Sequence, residues 1–226
     1  FALLLTFPLK ADSAPAKKAQ TLNQYLYKLE MCIDSGNYKE ATSILNRIYP
    51  DNSKNPRLNS LAARLFYETG NYQEAEVIAL KNLEYQKNID NYLILGNIYL
   101  AKSEEGESKE EKKSLVYKAF QCFYSADRLN KRHPDVKVAL AKAEMALNNY
   151  QKAFDLLMEA KDMDMTNPDV YHQLGLVYKH HGKYEKAVEY LLESVSYEYR
   201  PNINKYLLMA DLYEKLGDIE NAIYFY

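Results

Sequence analysis

The sequence predicts an all-α protein built from repeated pairs of helices, and three observations point to that fold. The 226 residues contain only seven glycines and seven prolines, too few for the many tight turns of a β-sandwich or barrel. Hydrophobic residues make up 47% of the chain, which excludes a disordered or low-complexity composition. The third observation is an internal similarity at a spacing of 34 residues, the length of one helix-turn-helix unit.

The repeated motif is a turn residue followed by a tyrosine or isoleucine and then an alanine. SGNYKEA at 35–41 returns as TGNYQEA at 69–75, and NNYQKA at 148–153 returns as GKYEKA at 182–187. A fifth version, GDIENA, occupies 217–222. We therefore expect each copy to mark the same point of a recurring unit, the turn into its second helix.

The fifth unit resembles the tetratricopeptide repeat at its signature positions. These are Pro168, Tyr171, Leu174, Gly175, Tyr178, Gly182, Tyr184, Ala187 and Leu191. The resemblance covers about residues 21–226 and implies a right-handed α-α superhelical solenoid of about six units, the last one truncated. The units span about 22–55, 56–88, 89–133, 134–167, 168–202 and 203–226.

Two recurring positions explain most of the small residues. An alanine on the second helix lets helices approach closely, and a bulkier side chain there would cost roughly 1–3 kcal/mol. It is found as Ala41, Ala75, Ala119, Ala153, Ala187 and Ala222. The turn between the helices requires a residue that tolerates a positive φ. It is filled by Gly36, Gly70, Gly182 and Gly217, and by Asn148 in the fourth unit.

The limits of the helices follow from the same register. Pro56, Pro134 and Pro168 open first helices, where a missing N–H is harmless. Tyrosines open four of the second helices, at Tyr38, Tyr72, Tyr150 and Tyr184. The third unit carries an insertion at 103–114, between a first helix that ends near Lys102 and a second that begins near Ser114. We expect the insertion to extend the turn or either helix into solvent, or alternatively to form a contact element specific to this protein.

The two ends of the sequence differ from the repeats. FALLLTFPL at 1–9 resembles the apolar stretch of a secretory signal peptide, and Ala14-Pro15-Ala16 offers a cleavage site. Residues 1–20 are therefore predicted to be a signal-peptide remnant of an exported, periplasmic or envelope-associated protein, or alternatively the flexible start of a cytoplasmic one. The sixth unit stops within its second helix without a polar cap, so we expect the natural protein to continue. No apolar stretch is long enough for a transmembrane helix.

No residue pattern predicts an enzyme, a cofactor or a metal. The chain lacks nucleotide-binding loops and hydrolase motifs. His172 and His180 lie too far apart on one helix to share a metal, and Cys32 and Cys122 lie in different units and are expected to be free and buried. The 29 basic and 31 acidic residues give no electrostatic reason to expect nucleic acid as a partner.

The resemblance implies that first helices line a concave groove that binds a protein or peptide partner. The residues predicted to line it are Arg57, Arg64, Tyr67, Asn97, Lys142, Met145, His172, Leu176, Lys179, His180 and Asp211. Apolar and charged residues alternate, so an extended segment or a helix would bind through apolar contacts while charges set its register. The alternative is that Leu93, Leu100, Leu176 and Leu207 belong to the core between repeats.

The function predicted is therefore that of a non-enzymatic scaffold or adaptor. Family analogy suggests a bacterial envelope, secretion or motility assembly. A regulatory or substrate-docking portion of a larger enzyme and a cytosolic adaptor stay open as alternatives, and the sequence does not indicate the oligomeric state.

Overall fold

The computed structural model describes residues 14–198 and 202–226, and the chain divides into two compact units, Phe1–Ile78 and Ala79–Tyr226. The regular structure in the described residues is α-helical throughout, which confirms the predicted all-α repeat fold. The twelve helices described are α1 (Ala14–Asp34), α2 (Tyr38–Asn52), α3 (Pro56–Glu68), α4 (Tyr72–Tyr85), α5 (Ile89–Glu105), α6 (Lys109–Leu129), α7 (Pro134–Ala146), α8 (Tyr150–Met163), α9 (Pro168–His180), α10 (Tyr184–Ser196), α11 (Ile203–Leu216) and α12 (Ile219–Phe225). Odd-numbered helices are the first helices of the repeats, and even-numbered helices are the second.

In the first compact unit, α1 packs against both α2 and α3, and α2 also packs against α3. Their shared core contains Leu26 and Leu29 of α1 and Leu58 and Leu65 of α3, all buried. The spacing of three or seven residues within each pair places its two leucines on one helix face. This buried face holds the two successive first helices side by side.

In the second compact unit, the helices form successive hairpins, α5 with α6, α7 with α8, α9 with α10 and α11 with α12. Each hairpin packs on the next through contacts of α6 with α7, α8 with α9 and α10 with α11. First helices also touch one another, because α5 packs against α7 and α7 against α9. The first helices α5, α7 and α9 therefore lie next to one another.

The turn between the helices of a hairpin takes the positive φ that the sequence predicts. φ is 69° at Gly36 and Gly182 and 75° at Gly217. Asn148, with φ of 61°, is the only non-glycine residue with positive φ in the described part of the chain. Asparagine tolerates this conformation better than most residues because its short polar side chain can hydrogen-bond to the nearby backbone.

Close contact between helices explains the small residues inside them. The six alanines of the second helices are all buried. A Cβ atom on Gly96 of α5 would lie 2.2 Å from Cε1 of Phe123 in α6. One on Gly175 of α9 would lie 2.9 Å from Cγ of Leu191 in α10. Both glycines thus leave room for a large side chain of the facing helix in the same hairpin.

The insertion at 103–114 lengthens both helices of its hairpin. Helix α5 continues to Glu105 and α6 already begins at Lys109. The insertion thus extends the helices, as one of the two expectations had it, and the helix limits lie beyond those predicted near Lys102 and Ser114. Only residues 106–108 connect the helices, and the Ser108 side chain accepts a hydrogen bond from the Glu111 N–H at 3.1 Å. This N-cap lets α6 start five residues before the predicted position.

The N-terminal prediction lies largely outside the described residues. Helix α1 begins at Ala14, whereas the first repeat was placed from about Leu22. Residues 1–13, which hold the predicted signal-peptide stretch, are not described.

Candidate functional site

The candidate site is the surface of the first helices that carries the residues predicted to line a groove, taken within each compact unit and here called the first-helix face. Arg57, Arg64 and Tyr67 lie in the first unit, and the other eight predicted residues lie in the second. All eleven predicted residues lie on first helices, and none of them is fully buried. Arg57 and His180 are exposed, whereas the other nine are half-buried. The structure therefore leaves each of them at least partly at the surface.

The arginines of α3 form ion pairs with the preceding first helix. Arg57 Nη2 lies 2.8 Å from Glu30 Oε2, and Arg64 Nη2 lies 2.8 Å from Asp34 Oδ1. Both carboxylates belong to α1. The two predicted binding residues thus pair within the protein, although exposed pairs of this kind contribute only about 0–1 kcal/mol to stability.

The same pattern recurs in the second compact unit. Lys142 Nζ of α7 lies 3.9 Å from Asp169 Oδ2 of α9, and Lys179 Nζ of α9 lies 3.2 Å from Asp211 Oδ2 of α11. Lys142 and Asp169 are 27 residues apart, the same separation as Glu30 and Arg57. Charged side chains therefore pair from one first helix to the next, and two of these four pairs have the same separation along the chain.

Apolar side chains lie on the same face as these pairs. Met145 of α7 and Leu176 of α9 are half-buried, and Leu207 of α11 is 44% exposed. Leu93 and Leu100 of α5 are half-buried as well. These leucines are therefore at least partly accessible at the surface.

The two histidines of the face have different surroundings. The His180 ring stacks on the Tyr150 ring with 3.4 Å between the ring centroids. Burial, reinforced by the positive charge of Lys205, lowers the pKa of His172 to about 4, so this imidazole is neutral at pH 7. In the described part of the chain no cluster of three or more His, Cys, Asp or Glu side chains could hold a metal ion.

The two cysteines lie in helices α1 and α6. Cys32 and Cys122 are both free and buried. Burial raises the pKa of the Cys122 thiol to about 11, which keeps it protonated and unreactive at neutral pH.

Sequence reasoning missed a buried lysine at the start of α11. Lys205 is only 3% exposed; its amine contacts the Glu198 carboxylate and donates a hydrogen bond to Ser194 Oγ at 2.6 Å. The Ser194 hydroxyl in turn donates to the backbone oxygen of Pro168 at 2.7 Å. The corresponding positions of three other repeats, Leu58, Val136 and Val170, are fully buried. Alignment of the repeats could therefore have marked Lys205 as buried.

Comparison with family models decides the family. Three segments, residues 33–89, 156–189 and 206–226, each match a model described as tetratricopeptide repeat. The chain is a tetratricopeptide repeat protein. A comparison with curated protein sequences gives no match.

Solved tetratricopeptide repeat and related structures share the fold at low sequence identity. TTC0263, a thermophilic TPR protein of Thermus thermophilus, is 18% identical with a TM-score of 0.76, and the match covers 84% of this chain and 97% of that one. The APC/C hetero-tetramer Cut9–Hcn1 matches at 14% identity and a TM-score of 0.72, over 89% of this chain and 38% of that one. A human IFIT1 dimer with PPP-AAAA matches at 16% identity and a TM-score of 0.66, over 94% and 56%. At these identities the likeness concerns the fold.

Tetratricopeptide repeats commonly serve as scaffolds for protein interaction and are generally non-catalytic. Among the described helices of this repeat protein, none combines the length and apolar character needed to cross a membrane.

Proposed function

We propose that this tetratricopeptide repeat protein is a non-enzymatic scaffold that binds a segment of a partner protein along its first-helix face. One observation carries the proposal. Lys142 and Lys179 are engaged in ion pairs between consecutive first helices, while Met145, Leu176 and Leu207 on the same helices stay partly exposed. The apolar side chains are thus the groups available for contact.

The physical reason concerns desolvation. A partner that covers an unpaired charge must remove its water, which is costly. Charges that are already paired reduce this cost, and buried apolar contacts supply most of the affinity at an interface. An extended segment or an amphipathic helix with apolar residues at regular spacing fits such a face, and the ion pairs set its register.

A second part of the proposal concerns where in the cell the protein acts. The apolar stretch at 1–9 supports export, so we place the protein in a bacterial envelope, secretion or motility assembly. A cytosolic adaptor is the alternative.

A protein partner is favoured over RNA. The IFIT1 structure contains PPP-AAAA, but the present chain has a net charge of −2. Lys142 and Lys179 are paired with carboxylates, whereas binding to a phosphate backbone depends on many available cations.

The first test substitutes Leu176 with Asp in the immobilised protein and measures, by mass spectrometry, the proteins retained from a lysate of its own organism. We expect the variant to lose specifically retained partners by at least tenfold, because a carboxylate would replace an apolar contact. The matched control is Tyr117→Asp, an exposed position on the second helix α6, which should retain them. Equal retention by a folded Leu176→Asp variant would refute the proposal.

A second test separates binding from structure at Arg64. Arg64→Glu removes the ion pair with Asp34, and the double variant Arg64→Glu/Asp34→Arg restores a pair of reversed polarity. If a partner contacts Arg64, the double variant should bind as weakly as the single one. Full recovery of binding in the double variant would show that Arg64 acts only through its pair.

A further inference from the structure

A second surface of the first compact unit carries a recess that the first-helix face does not include. It has a volume of about 460 Å³ and lies among α2, α3 and α4. Its apolar lining consists of Leu45 and Tyr49 of α2, Phe66 of α3, and Val77 and Ile78 of α4. This volume falls within the range of about 300–1,000 Å³ that is usual for binding sites.

Val77 is an unusual residue for its position in the repeat. It lies two residues after the buried alanine Ala75 and is 66% exposed. Four other repeats carry exposed polar side chains at this register position, namely Ser43, Gln121, Asp155 and Glu189. Tyr224 of the last repeat is the other exception. The fold therefore does not require an aliphatic residue here, and Val77 leaves an apolar side chain in water at the edge of the recess.

The charge at the recess indicates what chemistry would complement it. Glu74 of α4 is the one charged residue in the lining. It is exposed, and no ion pair engages its carboxylate within the described part of the chain. A cation next to an apolar group would satisfy both features of the recess, since an opposite charge near Glu74 is favourable and apolar burial against Val77 adds affinity.

We propose that this recess, formed by Leu45, Tyr49, Phe66, Val77 and Ile78 with Glu74 at its edge, is a docking site for a basic-apolar peptide segment. The segment places one apolar side chain among the five apolar residues and a lysine or arginine beside Glu74. None of these lining residues is among the residues of the first-helix face.

The experiment selects phage-displayed peptides of 12 residues that bind the full chain. The library is first depleted on the Val77→Asp variant, which removes peptides that bind elsewhere on the protein. Because Val77 is mostly exposed, the variant should fold as the wild type does, which circular dichroism checks. We expect enriched peptides to combine an apolar residue with Lys or Arg within one helical turn. Gln121→Asp places the same new charge at the matched register position of α6 and is the control.

Binding of a synthetic enriched peptide then decides the proposal. Its affinity, measured by fluorescence polarisation, should fall at least tenfold on Val77→Asp and on Glu74→Lys, and stay unchanged on Gln121→Asp. The proposal is overturned if no peptide is enriched, if the enriched peptides are acidic, or if binding survives both Val77→Asp and Glu74→Lys. Glu74→Lys keeps the test valid even if Val77→Asp perturbs the fold.

Discussion

At the scale of the residue, single atoms set how closely the helices of a hairpin approach. In α5 the missing Cβ of Gly96 makes room for the ring of Phe123. In α9 the missing Cβ of Gly175 makes room for the side chain of Leu191. Protein interiors are packed too densely to absorb an added methyl group without displacement.

Gly96→Ala should therefore destabilise the protein. The new methyl group would overlap the buried Phe123 ring, and we expect the free energy of unfolding to fall by about 1–3 kcal/mol. Urea denaturation followed by circular dichroism measures this change. The double variant Gly96→Ala/Phe123→Leu removes the overlapping ring atoms and should be less destabilised than the sum of the two single changes. Strict additivity would show that the steric explanation is wrong.

A second residue-scale prediction concerns pH. Burial, followed by the charge of Lys205, lowers the pKa of His172 to about 4, whereas an ordinary histidine titrates near 6.5. The unfolded chain thus binds a proton at a pH where the folded chain does not. The stabilising contribution of His172 is complete above pH 6.5 and is lost as the pH falls towards 4. Asp169 favours the protonated form, and Lys142 opposes it together with Lys205.

Between pH 7 and pH 4.5 this linkage should cost about 2–3 kcal/mol of the free energy of unfolding. Urea denaturation of wild type and His172→Gln at both pH values isolates the contribution, since other groups titrate in both proteins. The variant should lose less stability than the wild type by that amount. The same loss in both proteins would mean that His172 is accessible to protons in the folded state.

At the scale of the element, a buried ion pair joins α11 to the end of α10. Lys205 contacts Glu198, and Ser194 connects the lysine amine to the backbone of α9 at Pro168. Removing one partner of a buried pair leaves the other charge without compensation, which is usually more destabilising than replacing both.

Lys205→Met should lower the free energy of unfolding by about 3 kcal/mol. Adding Glu198→Gln removes the remaining charge and should restore part of that loss. Lys215→Met is the control on the same helix, because Lys215 forms only an exposed pair with Asp211 at 3.8 Å and should cost less than about 1 kcal/mol. Chemical denaturation that finds Lys205→Met as harmless as Lys215→Met would contradict this account.

The elements also show which features a sequence can predict. Tyr38, Tyr72, Tyr150 and Tyr184 begin second helices, as the 34-residue spacing predicts, because each repeat carries its own start signal. The lengths of α5 and α6 were not predictable in this way, since an insertion has no counterpart in the other repeats. The N-cap of α6 at Ser108 could nevertheless have been recognised in the sequence, because a serine is followed there by a glutamate three residues later.

The placement of the candidate residues on first helices was predictable, but their contacts were not. Register alone placed Arg64 and Lys142 on first helices, and both lie half-buried there. Their pairing with Asp34 and Asp169 depends on how one helix is rotated against the next. The spacing of residues along the sequence does not predict this rotation. The neutral state of His172 likewise depends on burial by neighbouring helices.

At the scale of the whole molecule, the repeats supply both a buried core and a surface that can bind a partner. The buried alanines and leucines of successive repeats form the cores of the two compact units. On the first helices, charged side chains form four ion pairs between successive first helices, and some apolar side chains stay partly exposed. Because each repeat contacts mainly its neighbours, surface residues can differ between repeats without altering the core.

The central claim is that a partner segment binds to the first-helix face. Site-specific photo-crosslinking in the native organism tests it most directly, with a photoreactive amino acid placed singly at Met145, His180, Tyr117 or Tyr124. We predict adducts with the same partner from Met145 in α7 and His180 in α9, and none from Tyr117 or Tyr124, which are exposed on the second helix α6. Adducts from Tyr117 or Tyr124, with none from Met145 or His180, would contradict the account.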